Sequence, residues 1–425
     1  MRPRTWVLVL AAAFAVLQLA NVTGRDTPDT KNYLSYALSL RGESKREAAA
    51  ATIDYVCLSA ATKARRDQSV DVVRFHRPDP TERVTDECRR AQWRVVEPRL
   101  AAGQTGGHTV PYMTDRFMRI FEARPGYPVF LVPFISLFGV TWGLWAAGVV
   151  VTVAGGVLAF LILRTLSVPV PLALTGQALY YVLPCGTTAM RPMTEGLLMA
   201  LTLAAVWGCA LVLRGRRERA GLALVAGSLA ALFAVKHSQA LFLGLCLAGA
   251  GAVTVLVRHR RGRPPGRGVP ALAGVGLAAA LGTVLLARLL HYPSESDSMQ
   301  DLLTGHFARP DREHPWREFW QLQGNFWVEW LRRQLWEPLF LAALGAGAWG
   351  ALRQRPFGVF LVAAAFTGIL TQAAHPDINI WGERLIVLAW LLPVVGLPLL
   401  LEPVVRGRRV ALPAQGHADR AQSVR

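Results

Sequence analysis

The sequence has no Walker loop, no dinucleotide-binding glycine pattern, no HExxH or paired CxxC zinc spacing and no GxSxG elbow. Soluble nucleotide chemistry therefore has no visible home in it. Charge is scarce too: 17% of the 425 residues are charged and 52% are hydrophobic, with a mean hydropathy of +0.31. Soluble domains of this length seldom show that balance, so the chain reads as an integral membrane protein. Acids are outnumbered and the net charge is +18. The bases fall in short clusters between apolar runs rather than along one face, the footprint of membrane topology and not of nucleic-acid binding. Cysteine is rare. Cys185, Cys209 and Cys246 lie in apolar runs, whereas Cys57 and Cys88 share one polar loop, either bonded in an oxidising space or as two unpaired thiols. No internal repeat is visible.

What is present is a series of apolar runs. The first, Thr5 to about Val22, follows Arg2 and Arg4 and reads as an uncleaved anchor, because "LANVTGRD" is a weak cleavage site. Others cover roughly 141–163, 170–189, 196–213, 221–235, 239–257, 270–290, 338–352, 357–374 and 385–401, for about ten helices in all. The fold expected is all-α and polytopic. The chain divides into a first transmembrane helix (1–22), an extracytoplasmic loop (23–127), membrane helices (128–290), a second extracytoplasmic segment (291–337), C-terminal membrane helices (338–402) and a disordered basic cytoplasmic tail (403–425).

Alternation from a cytoplasmic N-terminus places Arg164, "RGRRERA" (214–220), "RHRRGRPPGRG" (258–268), "RQRP" (353–356) and "RGRR" (406–409) inside. All are basic, as short cytoplasmic loops should be, and both termini fall in the cytoplasm. The outer face receives most of the acids and aromatics. Within the first outer loop, stretches around 30–41 and 46–65 read as amphipathic helices, and in Asn32–Leu40 the apolar positions group on one side, as for a helix half sunk among headgroups. "WREFWQLQGNFWVEWLRRQLWEP" (316–338), with five tryptophans, reads as a second interfacial segment.

The ionisable residues that remain gather on the outer face at helix ends: Asp26, Asp29, Arg124, Arg191, Glu195, Lys236, His237, Glu383 and Arg384. Each has two readings. Asp29 is a general base or the cap of a helix starting near Lys31; Asp26 is the second acid. Arg384 contacts an anion or snorkels to the interface. Lys236 and His237 are buried for a use or sit in a tight exposed turn. Glu195 serves a site or complements a helix dipole with Thr194 as cap. Tyr127, between Gly126 and Pro128, fixes the return of the loop to the membrane or touches substrate. His291, His306 and His314 share the second outer segment without a metal-ligand spacing.

Five stretches together resemble the glycosyltransferase-C superfamily. "DTKNYLSYALSLRG" (29–42) is similar to the start of that family's first outer loop, with an acid just beyond the first helix, and "RPGYPVFLVPFISLFG" (124–139) to the segment that returns it to the membrane. "MRPMTEGLLMALTLAAVW" (190–207) resembles the outer turn that opens a later helix, "GSLAALFAVKHSQALFLGLCL" (227–247) the helix pair broken by a basic residue, and "GERLIVLAWLLP" (382–393) a final helix reached through Glu-Arg. They follow the family's order over most of the chain.

The resemblance implies an enzyme that moves a sugar from a polyprenyl-phosphate carrier to a glycan, lipid or protein acceptor outside the membrane, usually with inversion. It implies an acid base, Asp29 or Asp26, and cations for the donor phosphate, namely Arg384, Lys236 and Arg191. Glu195, His237, Glu383, Arg124 and Tyr127 are its substrate-binding candidates. Some members hold a divalent metal ion near paired acids; here the acids are three apart. Two rivals stay open, a transporter or flippase of lipid-linked saccharides and a non-catalytic subunit of an envelope-assembly complex. The richness in alanine, arginine and glycine points to a GC-rich bacterial source, and so to the cytoplasmic membrane.

Overall fold

The computed structural model describes residues 2–410 apart from positions 216, 265, 381 and 383, with backbone alone at 408–410. Glu383 and the tail from 411 onward therefore lie outside the described residues. Among those described, the structure is all-α with no strand. In chain order the helices are α1 (Pro3–Gln18), α2 (Thr30–Leu40), α3 (Lys45–Ser69), α4 (Thr81–Ala101), α5 (Asp115–Glu122), α6 (Gly126–Thr165), α7 (Val170–Val182) and α8 (Pro184–Ala189). They continue as α9 (Thr194–Leu213), α10 (Glu218–Arg260), α11 (Gly268–Leu289), α12 (Glu295–Leu303), α13 (Pro315–Trp336), α14 (Leu339–Leu352), α15 (Phe357–Ala374) and α16 (Leu391–Val410), the last preceded by a 3-10 turn, Leu385–Trp390.

Seven helical segments are long and apolar enough to cross a membrane, or eight if α13 and α14, bent by 90°, count as one span. That supports a multi-pass protein but not the expected ten. The difference lies in expected runs that share one continuous element or are too short to span. The runs at 221–235 and 239–257 belong to one element, α10, whose 43 residues would stretch about 65 Å if straight, roughly twice the hydrocarbon thickness. Its backbone leaves the helix at Lys236 (φ −164°, ψ 96°), dividing it into two arms. The run at 170–189 is split between α7 and α8, of 13 and 6 residues, and the 14-residue α14 is short for a span. α6 breaks at Gly139 (φ 72°, ψ 178°), a conformation open essentially to glycine alone. The helical backbone also runs to Val410, so the expected tail begins later than 403.

Small residues let these helices approach closely, as packing within a bilayer favours. A Cβ on Gly208 would lie 2.7 Å from the Gly221 carbonyl oxygen, and one on Gly244 2.8 Å from that of Gly276, so α9 grips the first arm of α10 and α11 the second. Gly126, at the start of α6, lies against Ala234 and Val235, where a Cβ would come within 2.8 Å of both backbones. That contact seats the end of the first outer loop on the break in α10.

The expected stretches 30–41 and 46–65 appear as α2 and α3, joined by the unexpected α4 and α5. α3 begins with a capping box in which the Ser44 hydroxyl accepts from the Glu47 amide and the Glu47 carboxylate accepts from the Ser44 amide. α2 is not half sunk in headgroups. Its residues from Thr30 through Leu38 are buried by protein, except Lys31, because α3, α5 and α6 close over the face that sequence left polar. Cys57 and Cys88 form a disulfide linking α3 to α4. α13 keeps Trp316, Trp320 and Trp336 exposed while Phe326 and Trp330 are buried.

The disulfide closes a sequence separation of 31 residues. Cys57→Ser is expected to destabilise the α3–α4 pair by roughly 3–4 kcal/mol through loop-closure entropy, seen as faster protease cleavage between α3 and α4. Unchanged cleavage would remove the bond from the stability of this loop.

Candidate functional site

Four distant segments bring charge to one cavity of about 930 Å³. Asp29 comes from the turn before α2, Glu195 from the first turn of α9, Lys236 from the break in α10, and Arg384 from the residue before the final 3-10 turn; Arg124, just ahead of α6, completes the wall. The Thr30 hydroxyl donates to the Pro192 carbonyl oxygen at 3.1 Å, fastening the Asp29 turn to the chain that leads into Glu195.

The Arg384 guanidinium lies between two carboxylates. One arm donates to Asp29 Oδ2 in a short ion pair, and Nε faces Glu195 Oε1 at 3.5 Å. Thr194 Oγ1 donates to the other Glu195 oxygen at 3.2 Å. Burial alone would lower the Arg384 pKa, but the neighbouring Glu195 and Asp29 outweigh it and hold the group firmly charged. Asp29 occupies the N-cap position of α2, yet its side chain makes no capping hydrogen bond. The capping reading fails here, because the carboxylate turns into the cavity toward Arg384. Lys236, half-buried on the same wall, has no hydrogen-bond partner among the described residues, although Glu195 is within electrostatic reach.

Arg124 Nη1 donates to the Tyr33 hydroxyl at 3.3 Å, while its buried Nε has no partner. Tyr33 is fully buried, with edge contacts to Phe121 (5.2 Å) and Tyr127 (5.4 Å), and burial pushes its hydroxyl pKa up. Tyr127 thus stands behind Tyr33 and does not line the cavity. His237 is also off the wall, its ring 5.3 Å from that of Tyr292. Asp26 and Arg191 line a second cavity of about 860 Å³, adjoining the first at Pro28, Ile380 and Arg384, which border both. The two candidate bases therefore face different spaces; Asp26 accepts from Ser59 Oγ at 2.5 Å. Glu383 lies outside the described residues.

Sequence reasoning missed three features of the first cavity. Asn32, one helical turn beyond Asp29, is 1% exposed, and its side-chain oxygen lacks a partner where it borders the cavity. Its i+3 spacing from Asp29 was the available signal. Also in the lining, His306 Nδ1 pairs with Asp301 Oδ1 at 3.0 Å, at a spacing no helical rule anticipates, and Phe117 packs on the imidazole at 4.8 Å. Aromatic side chains such as Phe117, Phe242 and Phe326 give the cavity an apolar flank. Among the described residues no three His, Cys, Asp or Glu side chains are placed to hold a metal ion.

No family model, curated protein or solved structure matches the chain.

Two measurements check this electrostatic arrangement. Arg384→Met leaves two carboxylates without their cation and is expected to cost about 3 kcal/mol in thermal unfolding, with part of the loss recovered by adding Glu195→Gln; no recovery would uncouple the pair. The hydrogen bond to Asp301 raises the His306 pKa from 6.5 against the opposing effect of burial. A raised folded pKa contributes stability that is complete below the unfolded value and is lost as pH climbs through the folded one. The melting-temperature gap between wild type and Asp301→Asn should therefore be widest below about pH 6.5 and shrink at alkaline pH. A gap that grows with pH would contradict the pairing.

Proposed function

We propose that the protein is a membrane glycosyltransferase that moves a sugar from a polyprenyl-phosphate donor to an acceptor hydroxyl, with inversion. The observation that carries this reading is the convergence of Asp29, Glu195, Arg384, Lys236 and Arg124 on one cavity with an apolar aromatic flank. Around Arg384 three cations face two carboxylates, a local grouping suited to an anion such as the donor phosphate, while Asp301, Glu329 and Asp377 make the rest of the lining acidic. The flank suits the first isoprene units, and a site at helix ends gives the tail a route to lipid.

In this proposal the donor phosphate takes hydrogen bonds from Arg384 and Lys236, groups that fit phosphate oxygens as a fork and as a point charge. Drawing Arg384 toward phosphate loosens its hold on Asp29. The freed carboxylate accepts the proton of the acceptor hydroxyl as that oxygen attacks the anomeric carbon. The new C–O bond forms as the bond from sugar to phosphate breaks, and polyprenyl phosphate departs with the electron pair. The cations stabilise charge developing on its oxygen. Glu195 keeps Arg384 oriented throughout. Following the positive-inside pattern, the site opens on the outer face of the cytoplasmic membrane, with both termini in the cytoplasm.

The test is mass spectrometry of envelope glycans and lipid-linked sugars in cells lacking the protein, complemented with wild type or with Asp29→Asn confirmed at normal membrane level. Wild type is expected to restore one envelope sugar and clear an accumulated polyprenyl-phosphate donor; Asp29→Asn should restore neither, its rate reduced by roughly 10²–10⁴. Full restoration by Asp29→Asn would remove Asp29 as the base.

A further inference from the structure

The second cavity has a different character from the first. Arg25, Lys63, Arg66 and Arg191 line it together with the shared Arg384, and Asp26 is the one acid among the described residues on its wall. Arg384 is already matched by Asp29 and Glu195. Asn21, Thr27 and Thr187 make much of the remaining lining polar, so nothing resembles the aromatic flank next door.

Two of its guanidinium groups are held side by side without a carboxylate. With the Asn21 amide turned so that its nitrogen donates to the Thr23 carbonyl oxygen, its side-chain oxygen accepts from Arg25 Nε and from Arg66 Nη1, both at 3.3 Å, and Arg25 also donates to Gln18 Oε1 at 2.6 Å. Neutral oxygens orient these arginines but leave their charge uncompensated. Burial is the main cause that lowers the Arg25 pKa, with Tyr55 opposing it and Arg66 and Arg191 adding to it. Because Lys63 and Arg66 are exposed, the cluster is open to an anion from outside.

We infer that the second cavity is a phosphate-binding site, distinct from the donor site and seated on Arg25, Arg66 and Lys63. Arginine forks suit a phosphate's oxygens, and several cations against one acid suit a dianion or a diphosphate. The phosphate has two sources, a water-soluble phosphorylated molecule or an anionic lipid headgroup. That its bearer is the acceptor rests on the transferase reading, which would place the acceptor across Arg384 from the donor; the anion site itself does not.

The test needs no turnover, so its failure is separable from failure of the transferase reading. Full-length protein in phosphatidylcholine nanodiscs is titrated with inorganic pyrophosphate by calorimetry, and acylation of Lys63 is followed by mass spectrometry. Saturable binding is expected, with Lys63 protected and one site lost or weakened at least about tenfold in Arg25→Gln/Arg66→Gln. Lys63→Gln, a change at an exposed residue, should weaken it less while leaving the melting temperature in place. A second arm adds phosphatidic acid to the nanodiscs. Lys63 left unprotected by both pyrophosphate and phosphatidic acid, or binding and protection unchanged in the double variant, would overturn the site. Protection of Lys63 by that lipid alone supports the site and assigns it to a headgroup; protection by pyrophosphate alone supports it and assigns it to a soluble ligand.

Discussion

The guanidinium of Arg384, caught between Asp29 and Glu195, is the interaction on which the rest of the site depends. Side chains charged this far from bulk water are stable only when paired, since desolvation costs several kcal/mol per ion. Pairing one cation with acids from the first outer loop and from α9 pins three segments that are distant in sequence: the start of α2, the start of α9 and the approach to α16. Apolar packing within a bilayer distinguishes poorly among helix arrangements, because lipid is as good a partner as protein. A charged clasp supplies the specificity that packing lacks.

The backbone makes room for that clasp at the break in α10. A continuous helix would carry Lys236 around its cylinder and satisfy every amide internally. Leaving the helix at this one residue brings the ammonium to the cavity wall, and Gly126 fills the dent left behind it. The seam formed by Gly126 and Val235 thereby sets Arg124 and Lys236 on the same wall. Irregular backbone at membrane depth is tolerated where it borders a cavity, and the cavity is here.

Legibility in the sequence followed the same physics. Asp29, Glu195, Lys236, Arg384 and Arg124 stood out because ionisable groups at the ends of apolar runs are expensive, and the structure gathers those five. Arg191, Asp26, Tyr127 and His237 met the same criterion but face elsewhere, since position along a helix end does not tell which side of a bundle it joins. Arg25, Lys63 and Arg66 drew no notice, being ordinary bases in a polar loop. Their meaning depends on a shared neighbour, Asn21, that no spacing reveals. Span counting differed for another reason: the breaks at Lys236 and Gly139 fall between segments the sequence separates, but the two arms of α10 form one continuous element, and the 170–189 run divides into helices too short to span.

Two cavities on either side of one arginine also constrain how a reaction would be ordered. Arg384 can turn toward only one anion at full strength, and in the present arrangement it is committed to Asp29 and Glu195. An anion entering the first cavity competes for it directly and frees Asp29. One entering the second meets Arg25, Lys63 and Arg66 and need not disturb the clasp. Under the proposed transferase reaction, Asp29 would therefore be released by occupancy on the side with the apolar flank and not by occupancy on the polar side. A transferase built this way would keep its carboxylate occupied until the donor arrives, limiting proton abstraction to a complex in which the sugar is already in place.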